Sequence, residues 1–222
     1  MTKRGFILGE YDTAADGHFT LNKWSLSEPK QKTNYLSIAY GDGEIDYTDV
    51  YDNTPRYEMR TLSITLISSF ATRNARRLII EGMVNNLDGF LTSVTFPDSP
   101  RKTMSGRISV TDKTESPYYS TVVITGKMEP YLWSEYRTQL VVPPSDGNAE
   151  ITISNNGRPA TEIVCDASNY FAIFKGASQS YTSPAKGGIN LQTGIYIPRG
   201  ESIIRISGAP TTIKWKEGTL TP

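Results

Sequence analysis

Residues 60–70 read RTLSITLISSF, and this stretch constrains the fold more tightly than any other. Leu62, Ile64, Leu66 and Phe70 fall on one face, and Thr61, Ser63 and Thr65 on the other. A pleated strand sends successive side chains to opposite sides, so this alternation predicts a strand with one face buried. The stretch YSTVVITGKM at 119–128 repeats the pattern, with Val122, Ile124 and Met128 on one face. Residues 90–96 and 107–110 read as shorter strands joined by the turn Pro97-Asp98-Ser99-Pro100. Residues 35–40 and 44–47 flank Gly41-Asp42-Gly43 and read as a hairpin.

One stretch breaks the period of two. Thr72 is a fitting N-cap for RNARRLIIEGMVNNL, in which Ala75, Leu78, Ile79, Met83 and Leu87 follow helical spacing. Asp88-Gly89 suits its end. Arg73, Arg76 and Arg77 then lie on the polar side of that helix, which predicts a solvated face or a subunit contact.

Beyond Tyr131-Leu132-Trp133 the texture changes. Short runs recur at 150–154, 161–165, 170–174, 188–191, 195–198, 202–207 and 211–215, punctuated by Asn155-Asn156-Gly157, Gly187-Gly188, Arg199-Gly200 and Gly208-Ala209-Pro210. Such spacing without a helical period predicts an antiparallel sandwich. The fold class is therefore mainly β, all-β with one helix at about 72–87. A β-rich domain at 1–135 precedes a second β-sandwich at 136–222.

Composition excludes whole classes of function. The 222 residues carry 23 Lys+Arg against 23 Asp+Glu, which removes the electrostatic case for nucleic-acid or anionic-membrane binding by the surface as a whole. A single cysteine, Cys165, excludes a disulfide framework, and a single histidine, His18, excludes a His-rich metal site. The opening MTKRGFILGEYD holds too short an apolar run for a signal peptide, and no stretch of ~18 apolar residues spans a membrane. Synthesis in a reducing cytoplasm is the expectation.

The search for chemistry returns little. Asp12-Thr13-Ala14-Ala15 resembles the core of retroviral-type aspartic proteases, but Ala14 stands where the tight turn needs Gly, and a loop is the better reading. A nucleophilic triad has only His18 to draw on, within the turn-like Asp16-Gly17-His18. Cys165 sits in an alternating strand and reads as a small buried hydrophobe. Asp42, Glu44 and Asp46 have the spacing that opens a calcium loop, yet Tyr47 replaces the required Gly and Asn53 the closing Glu. No catalytic residue, cofactor site or metal site is assigned. Tyr118-Tyr119 and Tyr131, Trp133 and Tyr136 are aromatic-rich, with core packing as the first reading and a sugar platform as the second.

The order of features across residues 19–133 carries more than any single motif. Trp24 and Leu26 lead to Ser27-Glu28-Pro29-Lys30, then to the run Tyr35 through Thr48 containing Gly41-Asp42-Gly43-Glu44-Ile45-Asp46-Tyr47. Arg56-Tyr57-Glu58-Met59-Arg60 precedes the long strand, and Met128-Glu129-Pro130-Tyr131 closes the segment. In this order the chain resembles the distal tail protein (Dit) family of long-tailed bacteriophages and related prophages. That family has a P-G-x-x-G-x-[IL]-D-[LY]-T hairpin, an R-Y-x-x-R segment and a final P-Y; here Ala39-Tyr40 replaces the usual Ile-Pro. The resemblance implies an N-terminal ring-forming β-sandwich domain and a galectin-like C-terminal β-sandwich that projects outward. It also implies a non-enzymatic virion protein at the tail tip, made in the bacterial host cytoplasm. Six copies would form a ring whose lumen passes DNA, with the tail tube protein on one side and tail-tip, baseplate or receptor-binding proteins on the other. The polar, Tyr-rich stretch 40–60 reads as an interface arm, and an ordinary surface loop is the alternative. The candidate interface residues are Tyr40, Asp42, Gly43, Tyr47, Tyr57 and Arg60 in that stretch, and Arg73 and Arg76 on the helix. A competing reading is a monomeric carbohydrate-binding sandwich using aromatics such as Tyr170 or Tyr181. A chain of this length leaves no room for the inserted carbohydrate modules of longer relatives.

Overall fold

The computed structural model describes residues 5–15, 18–37, 43–46, 48, 55–69, 72–144, 147–165, 169–175, 178–185, 191–208 and 210–221. The chain divides into two compact units, residues 1–132 with 220–222 and residues 133–219. The first unit thus includes the last three residues, a return that a simple cut at 135 does not anticipate.

The first unit contains β1 (Ile7–Leu8), β2 (Tyr11–Asp12), β3 (Thr20–Leu26), β4 (Tyr35–Ser37), β5 (Glu44–Asp46), β6 (Arg60–Ser68), α1 (Arg73–Leu87), β7 (Leu91–Phe96), β8 (Ser99–Glu115) and β9 (Ser120–Met128). One antiparallel ladder runs β2-β1-β7-β8-β9-β6-β3. Laid flat, its five steps from β1 to β3 would cover about 24 Å. Instead the Phe6 ring, beside β1, and the Trp24 ring, on β3, lie 5.6 Å apart, with Phe96 completing a triangle at 5.5 and 5.6 Å. The ladder is therefore rolled into two facing halves around one core.

The long strand β8 makes the corner. Residues 99–107 pair with β7, and residues 106–115 pair with β9. The two halves overlap at Gly106, where a Cβ would strike the carbonyl oxygen of Lys127 and sit 2.7 Å from the Cα of Met128. Only glycine allows the neighbouring backbone that close, which is a familiar way for a strand to change sheets. The predicted strands at 90–96 and 107–110 are real, but the second is a fragment of this longer strand. The turn is confined to Pro97 and Asp98.

Past Gly106, β8 has lost β7 and would expose an open edge. Helix α1 and its C-terminal turn cover it. The Gly89 amide donates to the Ile108 carbonyl at 2.8 Å, and the Val110 amide to Asp88 Oδ1 at 2.9 Å. These bonds hold the Asp88 carboxyl below its usual range: the Val110 amide contributes most, then the Ser109 hydroxyl. Covering an edge with a helix removes a site of unwanted strand pairing.

The helix begins at its predicted cap, with Thr72 Oγ1 accepting from the Ala75 amide, and Met83, Leu87 and in part Ile79 face the core as predicted, but Leu78 does not and Arg76 and Ile80 join them. Ile80, Met83 and Leu87 enter the core with Arg76, while Leu78 is 69% exposed. Residues 76, 80, 83 and 87 form an i, i+4, i+7, i+11 stripe. Patterning puts an arginine on the wet side because burying a charge is costly unless its donors are satisfied. Here they are, as shown below.

The second unit contains β10 (Leu132–Ser134, beginning one residue earlier), β11 (Arg137–Val141), β12 (Ala149–Asn155), β13 (Thr161–Cys165), β14 (Asn169–Lys175), β15 (Ser178–Ala185), β16 (Leu191–Ile197), β17 (Gly200–Gly208), β18 (Thr211–Trp215) and β19 (Gly218–Thr219). Two separate four-stranded sheets, β11-β18-β13-β16 and β12-β17-β14-β15, supply the core residues Val141, Ile153, Ile163, Cys165, Ile197, Ile204, Ile206, Ile213 and Trp215. This is the antiparallel sandwich read from the spacing. Cys165 is a core residue, as its alternation indicated. Of the run at 188–191 only Leu191 lies among the described residues, where it opens β16, the strand that also takes in 195–197; the spacing does not show the short β10 and β19, nor the longer β11 and β15. Both longer strands lie at sheet edges, where alternation is weak; β15 even holds Pro184, which an edge tolerates.

Candidate functional site

Strands β3 and β6 are ladder neighbours, with Leu26 opposite Leu62. A two-residue turn could join them. The chain instead departs at residue 27 and returns at 59, and no described residue in this excursion is buried. At its base the Ser27 amide donates to the Thr61 carbonyl at 2.9 Å and the Thr61 amide to Ser27 Oγ at 2.8 Å. Further out, the Glu58 amide donates to the Lys30 carbonyl and the Lys32 amide to the Arg56 carbonyl, both at 2.8 Å. The pair β4–β5 then continues it, with Leu36 opposite Ile45. The result is a ribbon whose outer pair belongs to no larger sheet. Tyr35, Leu36, Ile45 and Met59 are large, apolar and exposed on it.

Of the predicted arm residues, Tyr40, Asp42 and Tyr47 lie outside the described residues. Gly43 has φ of +92°, and a Cβ there would meet nothing within 4 Å; the conformation, not crowding, favours glycine. Tyr57 bridges to Gln31 and stacks edge-on against Tyr131, centroids 6.0 Å apart. Glu44 lies 3.5 Å from Ser37 Oγ, and Asp46 Oδ1 accepts from the Thr48 amide at 2.8 Å. The Thr48 hydroxyl and amide hold the Asp46 carboxyl below its usual range. Among the described residues no group of three His, Cys, Asp or Glu side chains is placed to hold a metal.

The arginines separate into two kinds. Arg60 is buried at the root of the arm. Its Nε donates to the Ser27 carbonyl and its Nη1 to the Leu220 carbonyl, both at 2.7 Å. Burial pushes its guanidinium pKa down. Arg76 is 1% exposed; its Nη2 donates to the carbonyls of Ser116 and Pro117 at 2.8 and 2.9 Å, and its Nε to Ser120 Oγ at 3.3 Å. Both guanidinium groups are spent inside the first unit, which corrects the placement of Arg76 on the polar side of α1. Arg73 is exposed and pairs with Glu115 at 2.8 Å, which raises the one pKa and lowers the other.

Asp12 is exposed, and its Oδ1 accepts from the Ala14 amide at 2.8 Å, a turn contact that accounts for the Asp-Thr-Ala-Ala motif. Thr13 is buried and its hydroxyl accepts from the Phe6 amide at 2.8 Å. In the second unit Lys216 Nζ lies 4.2 Å over the Tyr136 ring, so that ring face is occupied. Tyr118 and Tyr119, for which the sequence favours core packing, are exposed. Sequence patterning could not show this, because alternation assigns faces only within a strand and these two residues form a turn.

No protein-family model matches the chain, and no curated protein sequence matches it. Among solved structures, its fold is similar to that of SPP1 Dit (gp 19.1), a hub of the adsorption apparatus in phages infecting Gram-positive bacteria. The TM-score is 0.67 at 16% identity, and the match covers 96% of this chain and 98% of the other. Both units, in this order, therefore share that protein's fold.

Proposed function

We propose that this chain is a structural, non-catalytic hub protein at the distal end of a long phage tail or tail-like particle. It closes as a hexameric ring between the tail tube protein and the tip or baseplate proteins, with DNA passing through the lumen and the galectin-like second unit facing outward. The observation that carries this reading is the full-length likeness to a hub protein, rather than a likeness of one unit alone. The arm supports it physically. A two-stranded hairpin is marginal in water by itself, and here it exposes Tyr35, Leu36 and Ile45. In a ring, a neighbouring copy supplies the surface these residues lack. Each subunit of a ring uses two different patches, so the arm of one copy meets a separate site on the next.

Light scattering behind size exclusion, with negative-stain images, tests the ring. A mass near six copies and annular particles is the expected result; a monomer at all accessible concentrations contradicts it. Leu36→Asp with Ile45→Asp should lower the assembled fraction without unfolding the chain, because neither side chain is buried.

A further inference from the structure

The turn between β8 and β9 presents two tyrosines on a rigid base. Tyr118 is 83% exposed and Tyr119 43%. Exposed aromatics at a turn add little to the fold, yet this turn is fixed from beneath. Arg76 holds the carbonyls of Ser116 and Pro117. The Ser116 amide donates to the Tyr119 carbonyl at 2.8 Å, and the Tyr118 amide to Ser116 Oγ at 3.3 Å. Desolvating a guanidinium is costly. What it secures here is the geometry of a surface turn carrying two large aromatic side chains. Rigid aromatics that lose little freedom on docking are the usual anchors of protein interfaces.

At the other end of α1, about 22 Å along a helix of this length, lies an open groove of about 600 Å³. Its walls include Leu87, Phe90 and Leu91, and its rim includes Glu10, Asn86 and Ser93. Phe90 is 57% exposed and Leu91 72%. In a lone chain these side chains face water without any gain to folding.

We propose that Tyr118 and Tyr119 of one copy seat in the groove beside Phe90 and Leu91 of a second copy of this chain. The inference rests on the reading of the chain as a ring-forming hub, and it specifies one contact of that ring. Three features select a second copy as the occupant. The knob and the groove sit at opposite ends of one rigid helix, so no copy can satisfy its own. They are different patches, which makes the contact heterologous, the kind that closes a ring. Their chemistry also matches: apolar walls receive the rings, while Asn86 and Ser93 can bond the phenolic hydroxyls. A whole aromatic side chain buries roughly 150–250 Å², and Tyr119 is already more than half covered, so the pair supplies only a fraction of the about 800 Å² per partner in a standard interface. The knob is therefore an anchor, and the arm supplies further area.

The test uses the full chain with one cysteine added at a time. Cys165 is 1% exposed and does not compete. Tyr118→Cys mixed with Leu91→Cys, treated with a short bismaleimide, should give a cross-linked dimer, and neither variant alone should. The chain carrying both should give a ladder up to the closed ring. In parallel, Tyr118→Ala with Tyr119→Ala, and separately Phe90→Arg, should each weaken self-association by at least about tenfold. Mixing these two variants should restore only a one-to-one dimer. A ring that persists in both variants, with no cross-link in the mixture, overturns this contact and leaves the hub reading standing. A wild-type chain that stays monomeric and yields no cross-link overturns both.

Discussion

The two units solve the same problem differently. Both must bury the apolar faces of antiparallel sheets. The second stacks two separate four-stranded sheets. The first rolls one continuous ladder until its end strands meet, which demands a corner, a covered edge and braces at the turns. The corner is Gly106, the cover is α1 with Asp88, and the braces are Arg60 and Arg76. A comparable brace in the second unit is Asn155, which is fully buried. Its Nδ2 donates to the carbonyls of Pro159 and Ile197 at 2.9 and 3.2 Å, and its Oδ1 accepts from the Gly157 amide at 3.0 Å. A rolled ladder thus concentrates its vulnerability at a few polar or backbone positions, whereas a stacked sandwich spreads it over packing.

The largest expected effect is at the corner. Gly106→Val should cost the first unit at least about 3 kcal/mol, because the clash is with backbone and only a shift of the ladder relieves it. Denaturant unfolding, with hydrogen exchange resolved to β8 and β9, would show it; a loss under about 0.5 kcal/mol would mean the ladder does not bend there. Next comes the brace. Arg76→Met should cost about 2–4 kcal/mol, since the Ser116 and Pro117 carbonyls lose their donors. Exchange should quicken first at residues 116–120, and unaltered protection there would refute the brace. Asn155→Leu should cost about 2–3 kcal/mol. Its faster exchange should be confined to the second unit; equal loosening of β8 and β9 would erase the contrast drawn between the units.

Acid provides a milder probe. Asp46, Asp88 and Glu115 all have carboxyl pKa values lowered in the folded chain. Each contributes stability that is present above the unfolded carboxylate value of about 4 and lost as pH falls through the folded value. All three lie in the first unit, so acid should loosen that unit through these groups, and Asp88→Asn should flatten the dependence. A pH titration with peptide-resolved exchange decides it; an unchanged slope in the variant would remove Asp88 as a contributor. The smallest effect is at Leu78. Leu78→Glu should change stability by under about 0.5 kcal/mol, whereas the same change at Ile80 should be severe.

These contrasts mark how far the sequence could be read. Alternation found β6, β9, β13 and β18 to within two residues at each end, because each has one buried face and lies inside a sheet. It missed β11 and β15, which sit at edges, and it cut β8 short, because the pairing partner of β8 changes at Gly106. The helix is legible in extent and in Ile79, Met83 and Leu87 of its core face, but not at Arg76, Leu78 and Ile80. A guanidinium can occupy a core position when carbonyls from a remote turn meet it, and nothing in residues 72–88 announces that turn. The same limit applies to the site. Only the part at 40–60 is legible as a polar, glycine-punctuated stretch; that the excursion already starts at 27, and that it exposes apolar residues, become evident only once the rest of the core is complete. Tyr118 and Tyr119 needed the turn itself.

The most direct measurement is immunogold labelling of intact particles produced by the genome that encodes this chain. Antibody against the second unit should decorate only the tail end farthest from the capsid, and the label should persist on isolated tails. Label along the tube, on the capsid or on no particle would contradict a distal hub.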